Sequence, residues 1–181
     1  MPDEPVVFHQ SYESLRRALG PKLDRRALER FRAHGVHLDR PLEPAYPLDT
    51  WVKSLEVACE LLAPGQPIEA ASHLVGRRIV LSYAETTLGK ALFAILRITG
   101  VERGLHSMQR NLRTSNNYSE TRLEKKPDGS FELWCNRVTF PHYYRGIFEA
   151  GLESLGAKKV EVALLKHDEQ GATFSLRFAQ R

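Results

Sequence analysis

Hydrophobic residues in positions 1–113 recur at the three- and four-residue spacing of amphipathic helices. The clearest stripe consists of Trp51, Leu55, Ala58, Cys59 and Leu62. Pro47 and Pro67 suit the first turn of a helix, and Gly35 and Gly100 suit helix ends. The spacing predicts helices over 12–19, 23–34, 47–63, 67–81, 87–99 and 101–112. A short apolar run at 6–8 favours an edge strand, and the proline-containing stretch 36–45 favours a loop or extended crossing.

The pattern changes to strict alternation after Asn116. Residues 118–125 alternate in polarity, and a Pro127-Asp128-Gly129 turn signal follows them. Apolar residues then occupy every second position from 131 to 135. Two alternating runs around such a turn predict a β-hairpin.

The C-terminal part predicts one helix and a second hairpin. Pro141 begins a helix whose apolar stripe includes Phe148 and Leu152, and Gly156 caps it. Gly151 lies on that stripe, and we expect it to permit close packing against a sheet. Alternating runs at 160–164 and 172–178 flank a turn at 169–171.

These elements predict an α+β fold. A mostly helical part, 1–113, is followed by a hairpin–helix–hairpin part, 114–181. The two hairpins make a roughly four-stranded antiparallel sheet with a helix packed on one face. At this length and without an internal linker, we expect residues 1–181 to form a single domain.

Composition argues against several functional classes. The net charge is +4 and is spread along the chain, which argues against nucleic-acid binding. No apolar run approaches the roughly 18 residues of a membrane span, and the acidic N-terminus does not look like a signal peptide. We therefore expect a cytoplasmic protein with no membrane partner. In that compartment Cys59 and Cys135 are expected to be buried free thiols.

No recognisable catalytic or metal-binding motif is present. The seven histidines are scattered, and there is no nucleophile elbow or phosphate-binding loop. His106, His142 and Glu120 are the only plausible acid–base candidates, and the sequence does not place them together. We expect no metal, no cofactor and no enzymatic activity.

One polar segment, residues 110–122, joins the two predicted parts. It contains three arginines, three asparagines and several hydroxyl side chains. Arg110 and Arg113, one helical turn apart, could clamp an anion. Two interpretations remain open: a polar binding site between the parts, or a hydrogen-bonded network that caps a helix and fixes the crossover.

Several segments together carry a resemblance to a known family. They are residues 44–47 before the tryptophan-bearing helix, then 113–122, 132–136, 146–152 and 171–174. Over nearly its whole length the chain resembles a large paralogous family of myxobacterial proteins that has no established function. This resemblance implies kinship and little chemistry.

The order of elements is also similar to that of the 4-vinyl reductase domain and of its relative, the haem–nitric-oxide sensor domain. Those domains bind small ligands between a helical part and a sheet. The sensor family holds haem with an axial histidine and a Tyr-x-Ser-x-Arg motif. Tyr118 and Arg122 have the spacing of that motif, but Glu120 replaces its serine, and His106 lies closer to Tyr118 than the pattern requires. The clustered cysteines of the vinyl reductase pattern are absent.

The leading hypothesis is a non-enzymatic regulatory or sensory module that binds a small ligand, for which an anion is one candidate, or a protein partner. The residues expected to bind the ligand are Arg110, Arg113, Asn116, Asn117, Tyr118, Arg122 and Asn136. One alternative is a protein–protein scaffold or homodimer module anchored by exposed Trp134 or Tyr143. A second alternative is a sensor of haem or another cofactor.

Overall fold

The computed structural model describes residues 4–179. Its helices are α1 (His9–Leu19), α2 (Arg25–Arg32), α3 (Leu48–Leu62), α4 (Ile68–Ala84), α5 (Thr87–Thr99), α6 (Val101–His106), α7 (Met108–Leu112) and α8 (Pro141–Ser154). Its strands are β1 (Val6–Phe8), β2 (Ala45–Pro47), β3 (Thr121–Lys125), β4 (Phe131–Asn136), β5 (Lys158–Asp168) and β6 (Gly171–Ala179).

Local sequence signals explain where several helices begin. The Asp24 carboxylate accepts a hydrogen bond from the backbone N–H of Ala27 (2.8 Å) and caps α2. The Thr86 hydroxyl accepts from Gly89 N–H (3.0 Å) and caps α5. Pro141 occupies the first turn of α8, where its missing N–H costs nothing.

The main sheet confirms the predicted α+β architecture. Its four strands are antiparallel in the order β3-β4-β6-β5, so the two hairpins join through β4 and β6. In β4 buried Phe131, Leu133 and Cys135 alternate with half-buried neighbours. The buried face packs on α8, where the Phe148 and Phe174 rings meet edge to face at 5.2 Å.

Three details differ from the sequence prediction. Residues 45–47, expected to be a loop or extended crossing and the start of a helix, form β2 and pair with β1. The helix expected over 101–112 is broken at Ser107 into α6 and α7. Strand β3 begins at Thr121 rather than 118, because the side chain of Asn116 accepts hydrogen bonds from the backbone N–H groups of Tyr118 and Ser119 and holds that stretch in a turn.

Helices α4 and α8 cross with their backbones in contact. A methyl group added at Gly76 would lie closer than 3.0 Å to the carbonyl of Tyr143, and one added at Gly146 equally close to the carbonyl of His73. Only glycine at both positions allows the two backbones to touch in this way. The crossing therefore holds the helical part against α8, the helix that packs on the sheet.

Gly151 has a different role from the one the sequence suggested. We expected it to permit close packing against the sheet, but no heavy atom of a neighbouring element lies within 4 Å of the position its methyl group would take. It faces open space inside the protein. The prediction for Gly151 is wrong because the sequence cannot distinguish a glycine that touches a neighbour from one that borders a void.

A charged network stabilises the same crossing. Glu149 of α8 is only 9% exposed. Its carboxylate accepts hydrogen bonds from Nε2 of His73 (2.6 Å) and Nε of Arg145 (3.0 Å). Arg77 of α4 donates to Glu153 through both terminal nitrogens (3.3 and 2.7 Å).

Both cysteines are free and buried, as expected. Burial raises the pKa of the Cys59 thiol to about 11, with a further contribution from Glu56 and Glu60. Burial alone raises the pKa of the Cys135 thiol to about 12. Both side chains therefore act as small hydrophobic groups at neutral pH.

Within residues 4–179 no single helix has both the length and the apolarity needed to cross a bilayer. Only α4 and α5 taken together would qualify, and these two helices are bent by 92° relative to each other.

The glycine pair at positions 146 and 151 gives a matched test of the α4–α8 crossing. Gly146→Ala should lower the free energy of unfolding by about 1–3 kcal/mol, because its methyl group would overlap the backbone of α4. Gly151→Ala should instead raise it by about 0.5–1 kcal/mol, because the helix gains alanine without a clash. Urea denaturation followed by circular dichroism measures both. Equal stability of the two variants would contradict the close crossing.

Candidate functional site

A cavity of about 170 Å³ lies between the helical part and α8. We call it the central cavity. Its walls come from α4, α5, α6, α7 and α8, with further contributions from β1, α1, α3 and the segment 114–118. It is partly open to solvent. The sequence predicted a site between the helical part and the sheet, but none of the described lining residues belongs to the four-stranded sheet, and α8 forms the wall opposite the helical part.

The lining of the central cavity is mostly apolar. Apart from four tyrosines, its aromatic and large apolar members are Val7, Trp51, Ile79, Val80, Leu92, Phe93, Leu96, Leu105, Met108, Leu112, Ile147, Phe148, Leu152 and Leu155. Among the described residues that line it, none is charged and none is histidine or cysteine. Apolar walls without a charge favour an uncharged, apolar guest, because a buried ion would have no partner there.

Most polar groups on the lining already have partners. The amide of Asn116 accepts from the N–H groups of Tyr118 (3.1 Å) and Ser119 (2.8 Å) and donates to the carbonyl of Leu112 (3.2 Å). The hydroxyl of Ser14 donates to the carbonyl of Gln10 (2.9 Å), and that of Thr114 to the carbonyl of Asn111 (2.7 Å). These groups stabilise the walls and offer little to a ligand.

Tyr83 of α4 is the exception. Its hydroxyl is buried and forms no hydrogen bond of standard distance and angle with any residue in 4–179. Burial raises the pKa of Tyr83, and a polar contact with the hydroxyl of Thr114, which itself donates to the carbonyl of Asn111, offsets part of that rise. The phenol is therefore protonated at neutral pH and can donate a hydrogen bond to a guest.

Three further tyrosines line the side of the cavity formed by α8 and residue 118. Burial raises the pKa of Tyr118, Tyr143 and Tyr144, and Tyr118 interacts by hydrogen bonding with Tyr144. All three phenols therefore stay protonated at neutral pH. They supply aromatic surface and uncharged hydroxyls.

The structure separates the predicted ligand-binding residues. Asn116 and Tyr118 line the central cavity. Arg113 donates from Nε to the carbonyl of Ser119 (2.9 Å), which is a hydrogen bond within the segment 110–122. Asn117 accepts from Val6 N–H (2.9 Å) and donates to the carbonyl of Glu4 (3.0 Å).

Asn136 plays a similar bridging part at the end of β4. It accepts from the N–H of Glu120 (2.9 Å) and donates to the carbonyl of Tyr118 (3.0 Å). Arg110 is exposed and donates to the hydroxyl of Ser107 (3.0 Å). A ligand-binding role for these side chains stays a prediction, while their bonds to the backbone agree with the network interpretation.

Arg122 and the proposed anchor Trp134 lie outside the central cavity, whereas the other proposed anchor, Tyr143, is on its wall. The guanidinium of Arg122 stacks 4.7 Å above the ring of Trp134, away from the cavity lining. Tyr143 is only 7% exposed and packs edge to face near Trp51 at 6.5 Å. The expectation that Tyr143 is exposed is wrong, because its side of α8 faces the helical core. Partner binding by Trp134 stays a prediction.

The acid–base candidates do not form a site in the central cavity. His106 and Glu120 are exposed, and neither they nor half-buried His142 contribute to its lining. In the described part of the chain no three His, Cys, Asp or Glu residues are grouped so that they could hold a metal ion.

The sequence analysis missed Tyr83 and the aromatic walls of the cavity. Trp51, Phe93 and Phe148 were predicted to belong to helical stripes or regions, where a core role is the ordinary interpretation. Nothing in the spacing of a helical stripe shows that a void lies against it. Gly151 was the one local signal, because a glycine on a buried stripe leaves unfilled volume.

Residues 5–178 match a family model described as "Protein of unknown function (DUF2378)". This match agrees with the resemblance to a family that has no established function. No curated protein matches the chain in sequence.

The fold is that of solved H-NOX domains, the haem–nitric-oxide sensor domains. A doubly substituted variant of Tt H-NOX has a TM-score of 0.73 at 13% identity, covering 96% of this chain and 95% of its own. An oxygen-binding H-NOX domain related to soluble guanylate cyclases has a TM-score of 0.66 at 16% identity, with 92% of each chain covered. An H-NOX protein from S. oneidensis in the Fe(II)NO state has a TM-score of 0.68 at 10% identity, covering 96% of this chain and 99% of its own.

Of the hypotheses from the sequence, the haem- or cofactor-sensor alternative is the one that named the domains whose fold these neighbours have. At such low identity the likeness shows the fold alone, so the residues themselves must decide whether haem fits.

The residues of the central cavity do not fit a haem. Met108 and the four tyrosines are the only described lining side chains that could ligate iron, and burial keeps the phenols protonated. The described lining residues include no cation that could pair with the propionate groups of haem. Arg122, the arginine of the partial motif, stacks on Trp134 instead. The volume of about 170 Å³ is close to that of an engineered cavity of about 150 Å³ that holds benzene. A porphyrin ring is far larger.

Alanine variants of Asn116 and Arg110 test whether the segment 110–122 is a structural hydrogen-bond network or a binding surface. Asn116→Ala should lower the free energy of unfolding by about 1–3 kcal/mol, because two backbone N–H groups lose their acceptor. Arg110→Ala, at an exposed position of the same segment, should change it by less than about 0.5 kcal/mol. Thermal and denaturant unfolding measure both variants. If Asn116→Ala were as stable as Arg110→Ala, the network would not be what holds the segment.

Proposed function

The chain belongs to the family of proteins of unknown function DUF2378, and we propose that it is a non-enzymatic sensory module. A small, uncharged, largely apolar molecule is its ligand, and the central cavity is the binding site. The single observation that carries this proposal is an apolar cavity, between the helical part and α8, whose described lining side chains carry no charge.

The chemistry of the lining decides between an anionic and an apolar ligand. An anion would need a desolvated cationic partner, and Arg110, Arg113 and Arg122 are absent from the cavity walls. An apolar guest gains about 25 cal/mol for each Å² of apolar surface that it removes from water. Rings such as Trp51 and Phe148 provide that surface without a charged group to desolvate.

Helix α5 connects the cavity to the outer surface. Phe93 and Leu96 are buried on the cavity side of this helix. On its other side Ile95 and Ile98 are 59% and 87% exposed. A guest that contacts Phe93 and Leu96 favours one position of α5 over others, and a downstream partner would detect that position at the exposed face.

The attachment of α5 suits such a movement. Its main contacts are with the neighbouring helices α4 and α6. One side-chain bond, from Nε of Arg97 to the carbonyl of Ser154 (2.7 Å), joins it to α8. Because α5 makes few contacts with the rest of the fold, displacing this helix costs little free energy.

Binding of benzene tests the proposal. A guest at a hundred times its Kd should raise the free energy of unfolding by about 2.7 kcal/mol, because it binds only the folded state. In a Trp134→Phe background, the fluorescence of Trp51 on the cavity wall should change with the same saturation curve. Amide hydrogen exchange should slow in α5 as the guest binds.

Two variants that introduce the same leucine side chain provide the control. Gly151→Leu places a side chain in the cavity and should abolish the benzene effect, whereas Ala94→Leu adds a leucine to the exposed face of α5 and should preserve it. Binding that survives Gly151→Leu would refute the central cavity as the site. A Soret absorbance band in the purified protein, lost in Met108→Ala, would show instead that the module holds haem.

A further inference from the structure

A second, polar cleft adjoins the central cavity at the corner between α1 and the α4–α5 connection. It measures about 270 Å³ and is lined by Gln10, Glu13, Arg17, Tyr83, Thr86, Thr87 and Leu88. We call it the corner cleft. Tyr83 lines both spaces and so lies between them.

Two buried polar atoms at the corner cleft have no partner. They are the hydroxyl of Tyr83 and Oε1 of Gln10, and neither has a hydrogen bond to any residue in 4–179. Leaving a buried polar group unpaired costs about 1–3 kcal/mol, so such groups in a native protein usually meet a ligand or water. A phenol donor and an amide acceptor, both without a partner, therefore belong to residues that line the same polar cleft.

The charges at the cleft balance each other. Glu13 and Arg17 of α1 line the same space, and neither forms an ion pair with another described residue. One anion and one cation give the cleft no net charge, so it does not favour one sign of charge over the other. Hydrogen bonding rather than charge therefore selects what lies next to Tyr83 and Gln10.

We infer that the ligand is a small neutral amphiphile, whose apolar body fills the central cavity and whose uncharged hydrogen-bonding head meets Tyr83 at the corner cleft. A hydroxyl or an amide has the required donor and acceptor. This inference rests on the proposed function and adds to it the chemical class of the ligand and the orientation in which it binds.

The size of the body follows from the cavity. A volume of about 170 Å³ exceeds only slightly the roughly 150 Å³ that accommodates benzene. The apolar body therefore has about the bulk of one aromatic ring or of a six-carbon chain. The aromatic walls favour a ring, because edge-to-face contacts add to simple burial.

Four probes that share one aromatic ring test the inference: toluene, benzyl alcohol, benzylamine and benzoate. Titration into the Trp134→Phe protein, followed by Trp51 fluorescence and by thermal stability, gives their Kd values. Benzyl alcohol should bind about three- to tenfold more tightly than toluene, because it satisfies the unpartnered phenol. Benzylamine and benzoate should both bind more weakly than toluene, since each must desolvate a charge.

Two tyrosine variants identify the group that meets the head. Tyr83→Phe should reduce the affinity for benzyl alcohol to that for toluene and leave toluene unchanged. Tyr12→Phe is the matched control, because Tyr12 has a buried hydroxyl without a partner among residues 4–179 but lines neither space. It should leave the preference for benzyl alcohol intact.

The outcomes separate this inference from the proposed function. If toluene binds as tightly as benzyl alcohol, or if the preference survives Tyr83→Phe, the head-group inference is wrong while the cavity still binds apolar guests. If benzoate binds most tightly and depends on Arg17, the ligand is anionic and the neutral head is refuted. If neither toluene nor benzyl alcohol binds, the proposed function fails together with the inference.

Discussion

The backbone contact between α4 and α8 is the constraint on which the rest of the structure depends. Gly76 and Gly146 let the two helices touch, and Glu149 with His73 holds them together beside that point. Since α8 also covers the sheet, this one crossing joins the helical core to the sheet core. Further along α8, Gly151 borders the space that opens beside the crossing.

The fold is shared with haem–nitric-oxide sensor domains, while the described lining of the central cavity contains no histidine to serve as an axial haem ligand. A common fold does not carry a function with it, because function depends on the side chains of the site. Here apolar and aromatic groups line the space, and no described histidine or cysteine reaches it. A sensor of this type would recognise its ligand by shape, apolar burial and a hydrogen bond to Tyr83, without iron.

Local patterns predicted most of the fold and little of the site. The stripe at 87–99 and the alternation of β4 depend only on neighbouring residues, and both agree with the structure. The side-chain amides of Asn116 and Asn117 form hydrogen bonds with backbone groups, and one of these groups belongs to strand β1. Such contacts cannot be deduced from the composition of the segment. The cavity depends on distances between α4, α5 and α8, which no sequence window contains.

The proposed function requires that the central cavity accept an uncharged, apolar guest. The most direct measurement is a crystal structure of the protein under xenon pressure, because xenon occupies apolar cavities of this size. We expect xenon density beside Trp51 and Phe148, within reach of Tyr83. A cavity that remains filled with ordered water under xenon, or a porphyrin retained from expression, would contradict the proposed function.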